Sequence, residues 1–368
     1  MALTETEESN QDLLQAHDEL WHQSLSYLKS LALAVALDLR IPDAIRHHGG
    51  GATLPQILAE TAHHPCKLGA LRRLMRVLTI SGTFSVADAA LDDEAAVVYR
   101  LTAASRFLIS DEVSSATTLA PFMSVVLHPI SISPHAMGIC AWFRQEHRDP
   151  SAFGLAFRQT PTIWEHADDA NAILNKGLAA QSRFLMPIVL RECGEVFRGI
   201  DSLVDVGGGH GGAATAIAAA FPHLKCSVLD LPHVVAGAPP SDSNVHFYSA
   251  GNRLRTSDDP SDRHCSLHSS WYLYVDEINV KILKNCMQAI SPRDAGGKVI
   301  IMDMVVGHDE KSNIKHLETQ VMFDLFIMMV NGIERDEQEW KKIFIEAGFK
   351  DYKILPIVGT LSVIEVYP

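Results

Sequence analysis

Apolar residues Trp21, Leu25, Leu28, Ala32, Val35 and Leu39 recur at three- and four-residue steps, which predicts a mostly helical stretch over 11–48. Pro42 follows Ile41 and breaks that run, and "PDAIRHH" starts another helix. Gly49, Gly50 and Gly51 read as a loop. "TLPQILAE", "CKLGALRRLMRVLTISG" and "TFSV…YRLTAAS" then give helix, helix, strand, strand, the order of a winged helix-turn-helix. Residues 112–195 read as all-helical, with "AWFRQE", "TIWEHADDANAILNKGLAAQSRFLMPIVLREC" and proline-rich joints. After about residue 198, short runs rich in Val and Ile alternate with amphipathic helices: "SLVDVGGG", "GAATAIAAAF", "KCSVLDL", "VKILKNCMQAI", "GKVIIMDMVV". That alternation predicts a mainly parallel sheet of the α/β class. The last runs, "YKILPIVG" and "LSVIEVYP", are close enough to form an antiparallel pair at one edge. The expected division is 1–115, 116–195 and 196–368.

Composition narrows the partners. The chain has 368 residues, 47% of them apolar, and a net charge of −13. So acidic a chain has no general affinity for nucleic acid or anionic membranes. Only "LRRLMR" is basic, and its arginines lie on a largely apolar helix. The opening residues lack the pattern of a signal peptide, and no run of eighteen apolar residues occurs. The six cysteines form no C-x-x-C pair, so reduced thiols in a cytosolic protein are expected and no metal set is read.

"LVDVGGGHGGAATAIAAAFP" reads as a strand, a glycine-rich turn and a helix. Gly207, Gly208 and Gly209 let the backbone turn tightly and approach a ligand, and the following helix points its positive end there. Asp230, with Leu231 beside it, ends the second strand, where a carboxylate can accept from both ribose hydroxyls of an adenosine. Gly207, Gly209 and Gly212 also satisfy the dinucleotide pattern G-x-G-x-x-G, so NAD competes. Asp205 weighs against it: an acid beside the loop suits a cofactor with an amino-acid tail and a sulfonium, and suits a pyrophosphate poorly. S-adenosylmethionine is the expected cofactor.

"LVDVGGGHGG", "LDLPHVV", "VKILKNC", "GGKVIIMDMVVG" and "NGIERDEQEWKKIFIEAGFKDYKI" together resemble the plant S-adenosylmethionine-dependent O-methyltransferases of the caffeate and isoflavone class. The likeness is strongest to the grass branch with root-expressed and alkylresorcinol-methylating enzymes, and it covers nearly the whole chain. It implies an N-terminal winged-helix dimerisation domain, a helical substrate-pocket region and a C-terminal Rossmann-like methyltransferase domain. It implies a homodimer whose small phenol binds between the domains, and in-line methyl transfer to a phenolate oxygen. It also implies a His base flanked by two acids, which match Asp303 in "IIMDMVV" and Glu334 in "NGIERDE". "VMFDLFIMMVNG" puts Met322, Phe326 and Met329 on one helical face, as pocket residues for a flat ring or as plain core. Trp142, Phe143 and Trp164 are similar candidates.

Residues 249–274 depart from the family. Its adenosine-binding Asp and the following Met match Asn252 and Arg253 once one residue is inserted. Residues 253–270 are polar, which argues against a buried parallel strand there. The expected His-Asp-Trp is missing. Counting back from "VKILKNC" puts Tyr272 at the base position, whereas an insertion of about four residues makes His268 the base, in "LHSSW". Shifted by one nucleotide under permitted codons, "DDPSDRHC" and "SLHSSWYL" yield text close to the family's missing turn and strand. A frame-shifted stretch is one reading. A catalytically inactive dimer partner or ligand binder, an N-methyltransferase and an NAD-dependent dehydrogenase are the alternatives in function.

Overall fold

The computed structural model describes residues 10–61, 65–87, 97–110, 118–129, 131, 138–146, 151–157, 168–238, 244–249, 265–269, 275–307 and 314–368, without the side chains of 65, 157, 168–172, 265–269, 357 and 358. The chain forms two compact units, Met1–His128 and Pro129–Pro368.

In the first unit, α1 (Asn10–Leu25) and α2 (Tyr27–Asp38) carry the periodic apolar stripe. Arg40, at φ 52° in the left-handed region, turns the chain into α3 (Ile41–His47), where Pro42 fits because the first turn needs no N–H there. Gly51, expected in a loop, instead opens β1 (Gly51–Thr53). It pairs with Arg100, and a Cβ on it would sit 3.0 Å from the Val98 Cγ1, so the close strand approach favours glycine. Thr53 and Gln56 form a capping box that starts α4 (Leu54–Glu60). α5 (Leu68–Ile80) buries Leu71, Met75 and Leu78. β2 (Phe84–Val86) and β3 (Val98–Leu101) complete a three-stranded antiparallel sheet in the order β1-β3-β2. Short helices α6 (Ala103–Arg106) and α7 (Ala120–Val126) follow. Ile41, Ile45, Ile57, Met75, Leu78 and Phe84 form the core. Leu14, Leu20, Trp21 and Tyr27 of α1 and α2 stay exposed, Trp21 at 62%.

The second unit begins with α8 (Ile139–Phe143), α9 (Ala152–Phe157) and the long α10 (Asp168–Cys193). Its sheet then grows from β4 (Ser202–Val206), α11 (Gly212–Ala220), β5 (Lys225–Asp230), α12 (Pro232–Ala236), β6 (Val245–Ser249) and β7 (Cys265–Ser269). After these come α13 (Asp276–Ala289), β8 (Lys298–Asp303), α14 (Ile314–Met328), α15 (Glu337–Ala347), β9 (Asp351–Val358) and β10 (Leu361–Tyr367). The seven strands stand in the order β6-β5-β4-β7-β8-β10-β9. β6 to β8 are parallel, and β10 and β9 close one edge in antiparallel register, as the sequence predicts.

Successive strand residues face opposite sides. Ile300 and Met302 therefore join Met186, Val189, Ala214 and Ile217 from α10 and α11 on one face. Val299 and Ile301 join Leu283, Trp340 and Phe344 from α13 and α15 on the other. Fully buried layers on both faces account for the continuous apolar runs.

The polar run before α13 was expected to hold no strand, and this is corrected. β7 pairs with β4 on one side and β8 on the other, with Leu267 opposite Asp205 and Ile300. Backbone pairing explains it: without β7, the inner edges of β4 and β8 would leave a row of buried N–H and C=O groups unpaired, a cost that outweighs the polarity of "CSLHS".

Candidate functional site

β4 ends in the glycine turn at the carboxyl end of the parallel strands, where such sheets bind ligands. The N–H of Gly207 donates to the Leu229 carbonyl at 2.8 Å, and that of Gly211 to the Gly208 carbonyl at 2.9 Å, which closes the turn before α11. Gly211 has φ 75°, and a Cβ there would lie 2.8 Å from the Phe247 ring, so backbone conformation and space both demand glycine.

Asp230 holds the turn from β5. One carboxylate oxygen accepts from the Gly209 N–H at 2.7 Å, the other from the Leu231 N–H at 2.6 Å. Asp205 lies under the turn, 1% exposed. Burial first, and then the charge of Asp230, push its carboxyl up to about 7, against a lowering hydrogen bond from the Ala214 N–H. Its Oδ2 has no hydrogen-bond partner among the described residues.

Asp205 and Gly207–Gly209 face a cleft shared with Asp303, Met302 and Val363 from the sheet and with Leu178, Ser182 and Leu185 from α10. A Cβ on Gly212 would sit 3.3 Å from the Ser182 Cβ, so small residues bring α10 against the start of α11. The fit to S-adenosylmethionine is tested by the buried Oδ2 of Asp205. An orphaned acceptor on a half-ionised acid, beside a glycine turn and a helix N-terminus, suits the cofactor's cationic amino-acid tail. It does not suit a pyrophosphate.

Asp303 ends β8, buried, with one oxygen accepting from the Met304 N–H at 2.8 Å. Glu334 is buried beside it. Past the end of α14, Asn331, at φ 69°, turns the chain back through Gly332, whose N–H donates to the Ile327 carbonyl. The Glu334 N–H donates to Asp324 at 2.9 Å. Burial, then the charges of Asp303 and Asp324, hold the Glu334 carboxyl far above the usual carboxylate range, against the lowering effect of Arg335. Burial and the neighbouring negative charges thus favour the protonated form of Glu334.

The remaining expected residues divide. Leu231 caps α12, half-exposed. Met322 is 56% exposed, Phe326 is partly buried and Met329 is 1% exposed, and none of the three lines the cleft. Trp142 packs edge-on against exposed Phe143. His268 stands within β7, in register with Ile301, not in a loop after the strand. The physical reason is the pairing that builds β7. Asn252, Arg253, Tyr272 and Trp164 lie outside the described residues.

Sequence reasoning missed His210, which lines the cleft from inside the glycine turn, and the α10 wall. The stripe of Leu178, Ser182 and Leu185 at helical spacing was the available signal. It also missed Arg335, 1% exposed, which "ERDEQE" disguises as one more solvated charge.

Comparison with known proteins agrees with this geometry. Residues 138–350 match the O-methyltransferase domain and residues 21–111 the O-methyltransferase dimerisation domain. The 5-pentadecatrienyl resorcinol O-methyltransferase of Sorghum bicolor is 53% identical over 375 residues, covering 98% of this chain and 99% of that protein. O-methyltransferase ZRP4 of Zea mays is 48% identical over 373 residues and 100% of both chains. The crystal structure of CalO1, a methyltransferase in calicheamicin biosynthesis in its SAH-bound form, shares the fold with a TM-score of 0.76 at 20% identity, over 96% of this chain and 99% of that one. By both domain matches and these near full-length relatives, the chain belongs to the O-methyltransferase family.

Proposed function

We propose that this chain transfers the methyl group of S-adenosylmethionine to a hydroxyl of a small phenol. The observation that carries the reading is the buried, unpartnered Oδ2 of Asp205 beneath the glycine turn, in one cleft with Asp303. When bound, the cofactor supplies a methyl group on a sulfonium, which a phenolate oxygen attacks in line. Asp205 takes the cationic tail, and Gly207, Gly208 and Gly209 let the backbone approach it. Asp230 holds Gly209 in place and stands where the ribose hydroxyls fall. Leu231 covers that position, and Asn252 and Arg253 serve the adenosine part.

On the β8 side of the cleft stands Asp303, with buried Glu334 near it, and this reading gives the two acids the task of orienting the base, a role it gives to His268. Phe326 and Met322 stand outside this cleft and remain acceptor contacts only on the family resemblance, whereas Met329 is buried. The chain acts as a cytosolic homodimer; the match to the dimerisation domain and the exposed apolar stripe around Trp21 support this. Among the described residues no helix is long and apolar enough to cross a membrane.

The acceptor class rests on relatives named for resorcinol and resveratrol, of which the resorcinol enzyme is 53% identical and the Vitis vinifera resveratrol enzyme 40%. The test is incubation of the purified chain with S-adenosylmethionine and a panel of phenols and amines led by alkylresorcinols. A methoxyarene formed in step with S-adenosylhomocysteine is the expected result. Cofactor binding without transfer to any phenol would leave a ligand binder, and transfer to amines alone an N-methyltransferase. Either result ends this reading.

A further inference from the structure

We infer that Arg335 is a positioning residue: its buried guanidinium ties the first turn of α13 to the loop that carries Glu334, and so sets Glu334 against Asp303. The inference rests on the methyl-transfer reading above for its effect on rate, and on geometry for the tie itself.

Arg335 is 1% exposed although it sits in "IERDEQEW". Its Nε and Nη2 both donate to Oδ1 of Asp276, at 3.0 and 2.8 Å. Asp276 opens α13, and its side chain is 48% exposed. Nη1 donates to the carbonyl of Ile333, the residue before Glu334, at 2.9 Å. The guanidinium lies 5.4 Å from the centre of the Trp340 ring. The Arg335 carbonyl accepts from the Val306 N–H at 2.9 Å, and Trp340 Nε1 donates to the Met304 carbonyl at 3.1 Å. Three segments thus meet at Arg335: its side chain joins the start of α13 to the Glu334 loop, and its backbone carbonyl holds the chain leaving β8 just after Asp303.

Glu334 is gripped on each side, through the Ile333 carbonyl before it and Arg335 after it, and its own N–H is held by Asp324. Packing alone does not require this. An apolar side chain would fill the space against Trp340 without burying a cation. What an apolar residue cannot do is reach a carboxylate on one helix and a carbonyl on another loop at once. The planar fork of arginine does so, and the single ammonium of lysine does not. The acids give this tie a purpose. Glu334 is buried, its side-chain Oε1 has no hydrogen-bond partner among the described residues, and the backbone on both sides of it is what fixes its position.

The test uses the full chain with the variants D276N, R335K, R335Q and the double variant R335Q/D276N. Cofactor affinity by calorimetry stays within about twofold in all, because the glycine turn touches none of these groups, while kcat for a methylated phenol falls about tenfold in R335Q and about fivefold in D276N with KM nearly constant. R335K restores part of the loss, and the double variant is no slower than R335Q, since both substitutions cut the same tie. Amide hydrogen exchange quickens together at 276–279 and 332–336 in D276N, whose half-exposed site tolerates the change even if R335Q fails to fold. Unchanged kcat and unchanged exchange at 332–336 in D276N would overturn the inference. So would a loss of cofactor affinity in step with kcat, which marks a merely structural role. If the wild-type chain methylates no phenol, the functional reading fails separately, and the exchange at 332–336 still decides the tie.

Discussion

Gly208 and Asp205 compete for one space: a Cβ on Gly208 would lie 2.5 Å from both the Cγ and the Oδ2 of Asp205. Asp205 is buried among strands and cannot swing into water. Gly208→Ala therefore pushes the carboxylate off its position under the turn. The expected cost is about 1–3 kcal/mol of stability from overpacking and a loss of cofactor affinity of about tenfold to a hundredfold. Calorimetric titration checks it. Wild-type affinity in this variant would remove Asp205 from the cofactor's contacts.

The same carboxyl makes cofactor binding depend on pH. Its pKa is raised to about 7 in the free protein by burial and by Asp230. Relative to the unfolded chain, this raised value favours the fold below the ordinary carboxylate range, and that contribution is lost as pH rises through about 7. Binding of a cationic tail needs the ionised form, so the trend for affinity is opposite. Affinity strengthens by up to about tenfold per pH unit between pH 5 and 7 and levels above. Below pH 7, binding releases a proton, which calorimetry in buffers of different ionisation enthalpy reads directly. Asp205→Asn should bind weakly and show neither effect.

Glu334 gives the complementary case. Burial, Asp303 and Asp324 raise its pKa, so its contribution to stability is complete only below the ordinary carboxylate range and drains away as pH rises from there to about 10. Glu334→Gln copies the neutral acid. Thermal melts should show the variant gaining on wild type steadily from about pH 5 upward, by pH 7 already, because only the wild-type side chain ionises on unfolding. Activity at pH 7 should stay within about tenfold of wild type, against a loss of about a hundredfold or more in Glu334→Ala, which removes the wall altogether. A Gln variant as inactive as the Ala variant would mean that the ionised acid does the work.

These residues show what the sequence could and could not disclose. The glycine turn, Asp230 and the antiparallel edge were legible because local chemistry sets them: strand period, positive φ and the end of a strand. β7 was not, because its reason to exist is the pairing demand of β4 and β8, which lie far from it in the chain. Arg335 was not, because its burial against Trp340 and its bond to Asp276 are tertiary facts, and the sequence around it, rich in Asp and Glu, reads as solvated. The face shared by Met322, Phe326 and Met329 was legible as helical, but periodicity could not tell pocket from core, and the three differ in burial.

His268 stands in β7 opposite Ile301, two positions short of Asp303 along β8, which is about 6–7 Å of strand. Its assignment as base has a kinetic signature. A phenol with a pKa of about 10 is about one part in a thousand ionised at pH 7. Without a base, kcat/KM tracks that fraction, rises about tenfold per pH unit toward pH 9 and strongly favours acidic nitrophenols. With a base, it reaches a plateau near the pKa of the imidazole and depends little on phenol acidity. If His268 is the base, His268→Ala should lower the rate on an ordinary phenol about a hundredfold or more near pH 7, turn the plateau into a slope and leave a nitrophenol nearly unaffected. If His268→Ala matches wild type while Tyr272→Phe shows this pattern, the base belongs to Tyr272. A slope already present in wild type would mean that Asp303 and Glu334 orient the phenol without any group taking its proton.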